Sequence, residues 1–169
     1  RETAAKLLTT FIDGYPRDPR ICEALTLRGD MYAKTKKETE ALQDFDRVIA
    51  RWPKEESAAA AWQRAAQIYA GRQDLVNMAK YYEGLIKNFP KASPAALAEA
   101  HFLLGRAAFD QGDFQSSISH MSEAKTLDPQ KYGEQVNVLT VLSYHKLQDV
   151  NKLKEALETL QKENPAAVS

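Results

Sequence analysis

Apolar residues in this chain recur every three or four positions, the spacing that places side chains on one face of an α-helix. Polar residues occupy most of the positions between them. Each apolar stretch runs into a proline, and five such prolines lie 36 to 39 residues apart: Pro16, Pro53, Pro90, Pro129 and Pro165. A repeat of this length is typical of helical hairpins that stack on one another. The pattern therefore predicts an all-α fold of about nine antiparallel helices.

Small residues occupy the places where the two helices of a unit are expected to cross. Gly29 and Gly105 lie at equivalent positions of two units, and the large residues Tyr32, Phe45 and Tyr69 lie beside such positions. A position without a side chain lets two helices approach closely, and an aromatic ring fills the space beside the crossing. Each unit is therefore expected to be a closely packed helical pair.

The order of these residues resembles the tetratricopeptide repeat, whose signature is W-x2-L-G-x2-Y, then A-x3-F, then a closing proline. The stretch FLLGRAAFDQGDFQSSISHMSEAKTLDP carries that family's glycine–aspartate–aromatic turn and its final Asp-Pro. The resemblance covers nearly the whole chain and implies an α-α superhelix, or solenoid. It divides a single domain into the second helix of a truncated repeat and four full repeats: residues 1–18, 19–55, 56–92, 93–131 and 132–167.

Several polar residues are predicted to cap the starts of helices. Asp18 and Ser93 each precede a proline, the order of an N-cap followed by the first helical residue. Thr35 and Glu38 have the spacing of a capping box. Aspartates occupy the matching turns of the later repeats: Asp74, Asp113 and Asp149.

Composition narrows the classes of partner. The chain has 169 residues, of which 44% are hydrophobic and 27% charged, and its 23 basic residues balance its 23 acidic ones. A chain without net charge has no overall field to attract nucleic acid, so no nucleic-acid partner is predicted. Its single cysteine, Cys22, excludes an internal disulfide. No apolar run approaches the roughly twenty residues of a membrane span, so the chain is predicted not to be transmembrane.

The sequence offers no constellation for catalysis, metal binding or cofactor binding. The three histidines, His101, His120 and His145, fall on different predicted helices, without partners at the spacing of metal ligands. Glu55 and Glu56 lie at a helix start, where carboxylates complement the helix dipole. No nucleophile motif or phosphate-binding glycine loop is present. The chain is therefore predicted not to be an enzyme and to need no cofactor.

The resemblance implies that the first helices of successive repeats line a concave groove that binds a protein or peptide. By register, the residues facing this groove change from polar to apolar along the chain: Glu23, Thr26, Asp30, Lys34, Gln63, Gln67, Glu99, Phe102, Arg106, Phe109, Val138, Leu142 and His145. Two aromatic rings beside Arg106 are the residue types that anchor interfaces. The alternative is that Phe102 and Phe109 pack inside their own repeat or under a neighbouring one.

The first helix of the fourth repeat is apolar on most sides. A helix of that kind is normally buried, and only one later helix of this chain could cover it. Val138 and Leu142 are therefore predicted to contact a second copy of the chain or a peptide.

Together these features predict a non-enzymatic scaffold that binds a protein or peptide partner in the groove. Two alternatives stay open: a structural element that forms a homo-oligomer through its uncapped ends, and the regulatory or targeting part of a larger enzyme. The repeats exceed the 34 residues usual for the family. In this they resemble repeats of bacterial envelope proteins, which implies a periplasmic or envelope-associated location, with the cytoplasm as the alternative.

Overall fold

The computed structural model of the protein describes the backbone of residues 2–168 and the side chains of residues 3–168. Nine α-helices and one 3-10 helix make up this part of the chain, which contains no β-strand. In chain order the helices are α1 (Glu2–Gly14), α2 (Ile21–Lys34), α3 (Glu38–Arg51), α4 (Glu56–Gly71), α5 (Leu75–Asn88), α6 (Pro94–Asp110), α7 (Phe114–Leu127), α8 (Pro129–Lys146), α9 (Val150–Glu163) and the 3-10 helix Pro165–Val168. The predicted all-α class and the predicted number of helices are confirmed.

The helices form two compact units, an N-terminal unit that ends at Pro90 and a C-terminal unit that begins at Lys91. Neighbouring helices pack in pairs, α2 with α3 and α4 with α5 in the first unit, α6 with α7 and α8 with α9 in the second. Each pair lies within one predicted repeat, except that α8 begins at Pro129, inside the range predicted for the preceding repeat. The single domain composed of these repeats stays a prediction.

The repeated prolines stand beside helix ends. Pro53 and Pro90 each lie two residues after the last residue of a helix, α3 and α5 respectively. Pro129 likewise lies two residues after the last residue of α7, but it is also the first residue of α8, and Asp128 caps that helix by accepting a hydrogen bond from the backbone N–H of Lys131. A proline is tolerated at this position because the first N–H of a helix has no partner within the helix. Pro129 therefore both follows one helix and begins the next.

Glycines allow the closest helix contacts of the N-terminal unit. A Cβ added at Gly29 of α2 would lie 2.6 Å from a ring carbon of Phe45 on α3. Gly84 of α5 stands in the same relation to Trp62 on α4, where an added Cβ would overlap the indole ring. Phe45 itself is fully buried. The backbone of α2 thus packs directly on an aromatic ring, as predicted for the crossing at Gly29.

Four of the predicted side-chain caps are present. The hydroxyl of Ser93 accepts a hydrogen bond from the backbone N–H of Ala96 at 3.2 Å, and Pro94 opens the helix. The others are aspartates that accept from the N–H three residues later, at 3.1 to 3.2 Å: Asp74, Asp113 and Asp149. Each satisfies one backbone donor that the helix itself cannot.

Two predicted caps are wrong. Asp18 accepts from the backbone N–H and the guanidinium of Arg20, so it stabilises the turn before α2, whose N-cap is Arg20. Thr35 donates its hydroxyl proton toward the carbonyls of Met31 and Tyr32 at 3.0 and 3.2 Å. It therefore closes α2 instead of opening α3, because a threonine hydroxyl can satisfy the last carbonyls of the helix before it.

Candidate partner-binding surfaces

In the N-terminal unit, the neighbouring helices α2 and α4 bring predicted groove residues together. Asp30 of α2 accepts a hydrogen bond from the guanidinium of Arg64 on α4 at 2.5 Å, and the two side chains form an ion pair. Lys34 on α2 and Gln67 on α4 are exposed, and Gln63 is half-buried. Asp30 is therefore engaged by its own chain, and the exposed surface beside it carries Lys34 and Gln67.

A cleft of about 680 Å³ opens where α2 and α4 begin. Its lining comes from the first turns of the two helices and from the segment before α4: Pro19, Cys22, Glu23, Thr26, Trp52, Glu55, Glu56, Ser57 and Ala60. These residues supply three carboxylates and one indole ring. They include no lysine or arginine. We call this feature the acidic cleft.

The wall that α2 contributes to the acidic cleft is held by local hydrogen bonding. Thr26 is buried, and its hydroxyl donates to the carbonyl of Cys22 at 2.8 Å. Cys22 is also buried, at 5% exposure. Glu23, one residue further along the helix, is exposed. Glu23 and Thr26 are the two cleft residues that the repeat pattern had predicted to face the groove. The side chain of Glu23 is exposed to a ligand in the cleft, and the buried Thr26 forms the surface beneath it.

Seven of the nine residues that line the acidic cleft were not predicted from the sequence as binding residues, among them the three with aromatic or charged side chains. Trp52 directly follows α3 and donates its backbone N–H to the carbonyl of Val48 at 2.9 Å. Its ring is covered on one side by the guanidinium of Arg51, which lies 5.1 Å from the ring centroid. Glu55 and Glu56 were predicted only as helix-start residues. The signal that could have found them is the concentration of carboxylates beside a tryptophan between two helices.

In the C-terminal unit, Phe102 belongs to the core. It is 6% exposed and stacks on Tyr132 of α8, with ring centroids 4.6 Å apart and an interplanar angle of 26°. The pair lies in a buried cluster with side chains of α6, α7 and α8: Ala98, Met121, Ala124 and Val136. The expectation that this ring faces a groove is wrong, because the start of α8 folds over it. The alternative, packing under a neighbouring repeat, is what the structure shows.

The other residues of α6 that were predicted to face the groove differ in exposure. Phe109 is half-buried and makes an edge contact with Phe114 of α7, with centroids 5.3 Å apart. Arg106 is exposed. Glu99 is half-buried. Arg106 is therefore the residue of this group that is open to a partner.

Helix α8 is buried along one side only. Val136 is 2% exposed, whereas Leu142 is 42% exposed. Val138 is half-buried, and His145 is exposed. α7 and α9 pack against one face of α8 and leave Leu142 outside, so the predicted contact of Val138 and Leu142 with a partner stays a prediction. Leu142 and His145 are accessible, as a partner contact requires.

Two of the three histidines meet although they lie on different helices. The Nδ1 atoms of His101 on α6 and His120 on α7 are 3.0 Å apart. Burial, and secondly the charge of His120, lower the pKa of His101, whereas the nearby Glu123 acts in the opposite direction. Within residues 2–168, no group of three or more histidine, cysteine or carboxylate side chains is arranged to hold a metal ion.

No helix in the described part of the chain combines the length and the apolar character that crossing a bilayer demands.

Several solved structures share this fold. A tetratricopeptide repeat protein from Parabacteroides merdae matches with a TM-score of 0.69 and 14% identity, over 95% of this chain and 59% of that one. MamA from Desulfovibrio magneticus RS-1 matches with a TM-score of 0.66 and 20% identity, over 96% and 87%. BtubC from P. vanneervenii matches with a TM-score of 0.62 and 13% identity, over 88% and 65%. At these identities the likeness concerns the fold alone, and the predicted tetratricopeptide-type fold is confirmed.

The chain spans 59% of the Parabacteroides protein that it matches. No curated protein matches its sequence.

Family models give the same result from the sequence. Three models, each described as a tetratricopeptide repeat, match residues 1–56, 60–92 and 98–131, and together they cover most of the chain. The first matched segment spans α1 to α3, the second most of α4 and all of α5, and the third begins within α6 and ends at the start of α8. The chain therefore belongs to the tetratricopeptide repeat family.

Proposed function

We propose that this protein is a non-enzymatic scaffold. It binds a segment of a partner protein on surfaces formed by the first helix of each repeat. Membership of the tetratricopeptide repeat family supports a protein-interaction role in general. The proposal adds that the acidic cleft between the starts of α2 and α4 is a binding site. Neither a cofactor nor nucleic acid takes part in the proposed function.

The acidic cleft is the observation that carries this proposal. Its volume of about 680 Å³ lies within the range of ligand-binding clefts and accommodates several side chains of a peptide. It combines a half-buried indole ring with exposed carboxylates. A large aromatic ring in a concave surface with polar groups around it is the usual composition of an interaction site.

The C-terminal unit contributes exposed side chains of other chemistry. Arg106 on α6 and Leu142 and His145 on α8 are accessible, and Phe109 and Val138 are half-buried. We include these five residues in the proposed binding surfaces of this unit. Phe102 is left out because its ring is already packed against Tyr132.

Photo-crosslinking tests the proposal at a single position. A photoreactive amino acid placed at Glu23, which lines the acidic cleft, should crosslink to partner proteins in a cell extract. The control places it at Gln43 on α3, which is also exposed and lies outside the cleft. The same products with the same yield from both positions would refute a binding site in the cleft.

A second candidate function is self-association, which a different observation favours. Exposed apolar side chains concentrate on α8, on α9 and in the turn between them: Leu142, Leu147, Val150 and Leu157. Apolar surface of this kind marks contacts between proteins. If copies associate here, Leu142→Glu should lower the molar mass measured by light scattering, whereas Val76→Glu on α5 should not. A monomer at all concentrations before substitution would exclude this function.

We also propose a periplasmic or envelope-associated location in a bacterium. The support is the length of the repeats, 36 to 39 residues between prolines, which resembles repeats of envelope proteins. Fractionation of cells that produce the full-length protein tests this, and recovery from the cytoplasm alone would overturn it.

A further inference from the structure

We infer that the acidic cleft recognises a basic segment of the partner protein, whose lysine or arginine side chain enters between Trp52 and the carboxylates of Glu23, Glu55 and Glu56. This inference rests on the proposed function, because it names the chemistry of the partner at the same site.

Charge is the first argument. Glu23, Glu55 and Glu56 line the cleft, and no lysine or arginine lines it. In the described part of the chain none of the three carboxylates forms an ion pair with a basic side chain. Arg20 attracts Glu23, but its guanidinium is held by two hydrogen bonds to Asp18. The cleft therefore presents three carboxylates that form no ion pair with the described chain, and this is the complement of a basic ligand.

The indole ring is the second argument. The electron-rich face of a tryptophan attracts cations, and arginine stacks on it particularly well. One cation already uses this ring, because the guanidinium of Arg51 lies 5.1 Å from its centroid. Trp52 remains only half-buried with Arg51 in place, and it lines the cleft. A guanidinium from a partner would find both a ring and carboxylates there.

The start of α4 favours a ligand of the opposite, negative charge. Its N-cap, Glu55, makes no side-chain cap, so the first backbone N–H groups of α4 are not capped by that side chain. A helix start of this kind attracts anions. An anionic ligand in the cleft would, however, lie among three carboxylates, whose full charges exceed the half charge of a helix end. A basic segment is therefore favoured over an acidic one.

Isothermal titration calorimetry with defined peptides tests the inference. The probes are three peptides of equal length, alternating glycine with arginine, with glutamate or with serine. At low ionic strength the arginine peptide should bind, and the other two should not. Raising the salt to 0.5 M should weaken binding severalfold, because partly exposed charges are screened over a few ångströms at that ionic strength.

Matched variants separate the cleft from general charge attraction. Glu55→Gln with Glu56→Gln should reduce the affinity for the arginine peptide about tenfold. The control, Glu40→Gln with Glu83→Gln, removes the same charge from exposed positions outside the cleft and should change the affinity less than twofold. All four residues are exposed, and circular dichroism verifies that both variants stay helical. Equal losses in the two variants would overturn the inference, and so would tighter binding of the glutamate peptide or no binding of the arginine peptide.

The crosslinking at Glu23 distinguishes this inference from the proposed function. Crosslinked partner segments rich in lysine and arginine support both. Crosslinked segments that are acidic or neutral would overturn the basic partner and leave the proposed function standing. Absence of products specific to the cleft would refute the proposed binding site in the cleft, on which the inference rests.

Discussion

The Nδ1 atom of His101 on α6 lies 3.0 Å from the Nδ1 atom of His120 on α7. At this distance one ring donates an N–H and the other accepts, so at most one of the two atoms carries a proton. The rings are 5.2 Å apart between centroids. Protonation of the accepting Nδ1 would break this hydrogen bond, because both rings would then present an N–H, and it would place a positive charge beside the other ring.

The histidine pair predicts that acid destabilises the C-terminal unit. Burial and His120 lower the pKa of His101 from its ordinary value of 6.5, so the unfolded chain binds this proton more readily than the folded one. The stability that His101 contributes is therefore complete above pH 6.5 and is lost as the pH falls below it. Urea unfolding at pH 7.5 and pH 5.5 should show a lower midpoint at pH 5.5.

A substitution separates this effect from the titration of carboxylates. In His101→Gln the urea unfolding midpoint should differ less between pH 7.5 and pH 5.5 than in the wild type, because the substitution removes the titrating group. His145→Gln is the control, since this histidine is exposed and lies outside the pair. The same change in midpoint with pH in wild type and His101→Gln would contradict the assignment.

Phe102 should contribute to stability and not directly to partner binding. Phe102→Ala removes a 6% exposed ring that stacks on Tyr132 and should lower the free energy of unfolding by about 3–5 kcal/mol. Phe109→Ala removes a half-buried ring and should cost about 1–2 kcal/mol. Urea unfolding measures both. Phe102→Ala with unchanged stability and weaker partner binding would instead place this ring at an interface.

The helices and most of their caps could be predicted because they depend on residues close in sequence. Asp74 and Asp113 each satisfy an N–H three residues later, a relation that a short window of sequence contains. Thr35 shows where such a window fails. Its hydroxyl could serve the helix before it or the one after it, and the chain uses it for the helix before.

The acidic cleft and the histidine pair depend on how helices cross, which local sequence does not contain. Trp52 and Glu55 lie between two helices, where repeat register makes no statement about side-chain direction. His101 and His120 are separated by 19 residues and meet because α6 and α7 pack antiparallel. Phe102 was misplaced for a related reason. The repeat pattern predicts on which face of α6 Phe102 lies, but it does not predict that the start of α8 covers this face.

A buried ion pair in the N-terminal unit provides a third prediction. Arg28 of α2 donates two hydrogen bonds to the carboxylate of Asp44 on α3, at 2.8 and 2.7 Å, and a third to the hydroxyl of Thr9 on α1. The side chains of Arg28 and Asp44 are 13% and 6% exposed. Asp44→Asn should lower the free energy of unfolding by about 3 kcal/mol, because it leaves a largely buried guanidinium without its counter-ion.

The exposed pair of Asp18 and Arg20 is the control for this prediction. Asp18→Asn weakens an ion pair of 2.9 Å, but Arg20 is 71% exposed and water replaces its partner. Its unfolding midpoint in urea should stay close to that of the wild type. Similar losses of unfolding free energy in the two variants would show that burial of the ion pair does not determine how much Asp44→Asn destabilises the protein.

The contact between Gly29 and Phe45 gives the last prediction. A methyl group at Gly29 would lie 2.6 Å from the ring of Phe45, which is fully buried, so the ring would have to shift within the core. Gly29→Ala should therefore destabilise the protein by about 1–3 kcal/mol, although alanine is the better helix former by about 1 kcal/mol. Gly71→Ala on α4 is the matched control, because nothing lies within 4 Å of its added Cβ. It should leave stability unchanged or raise it. Urea unfolding of both variants decides between overpacking and helix propensity, since propensity alone would stabilise both.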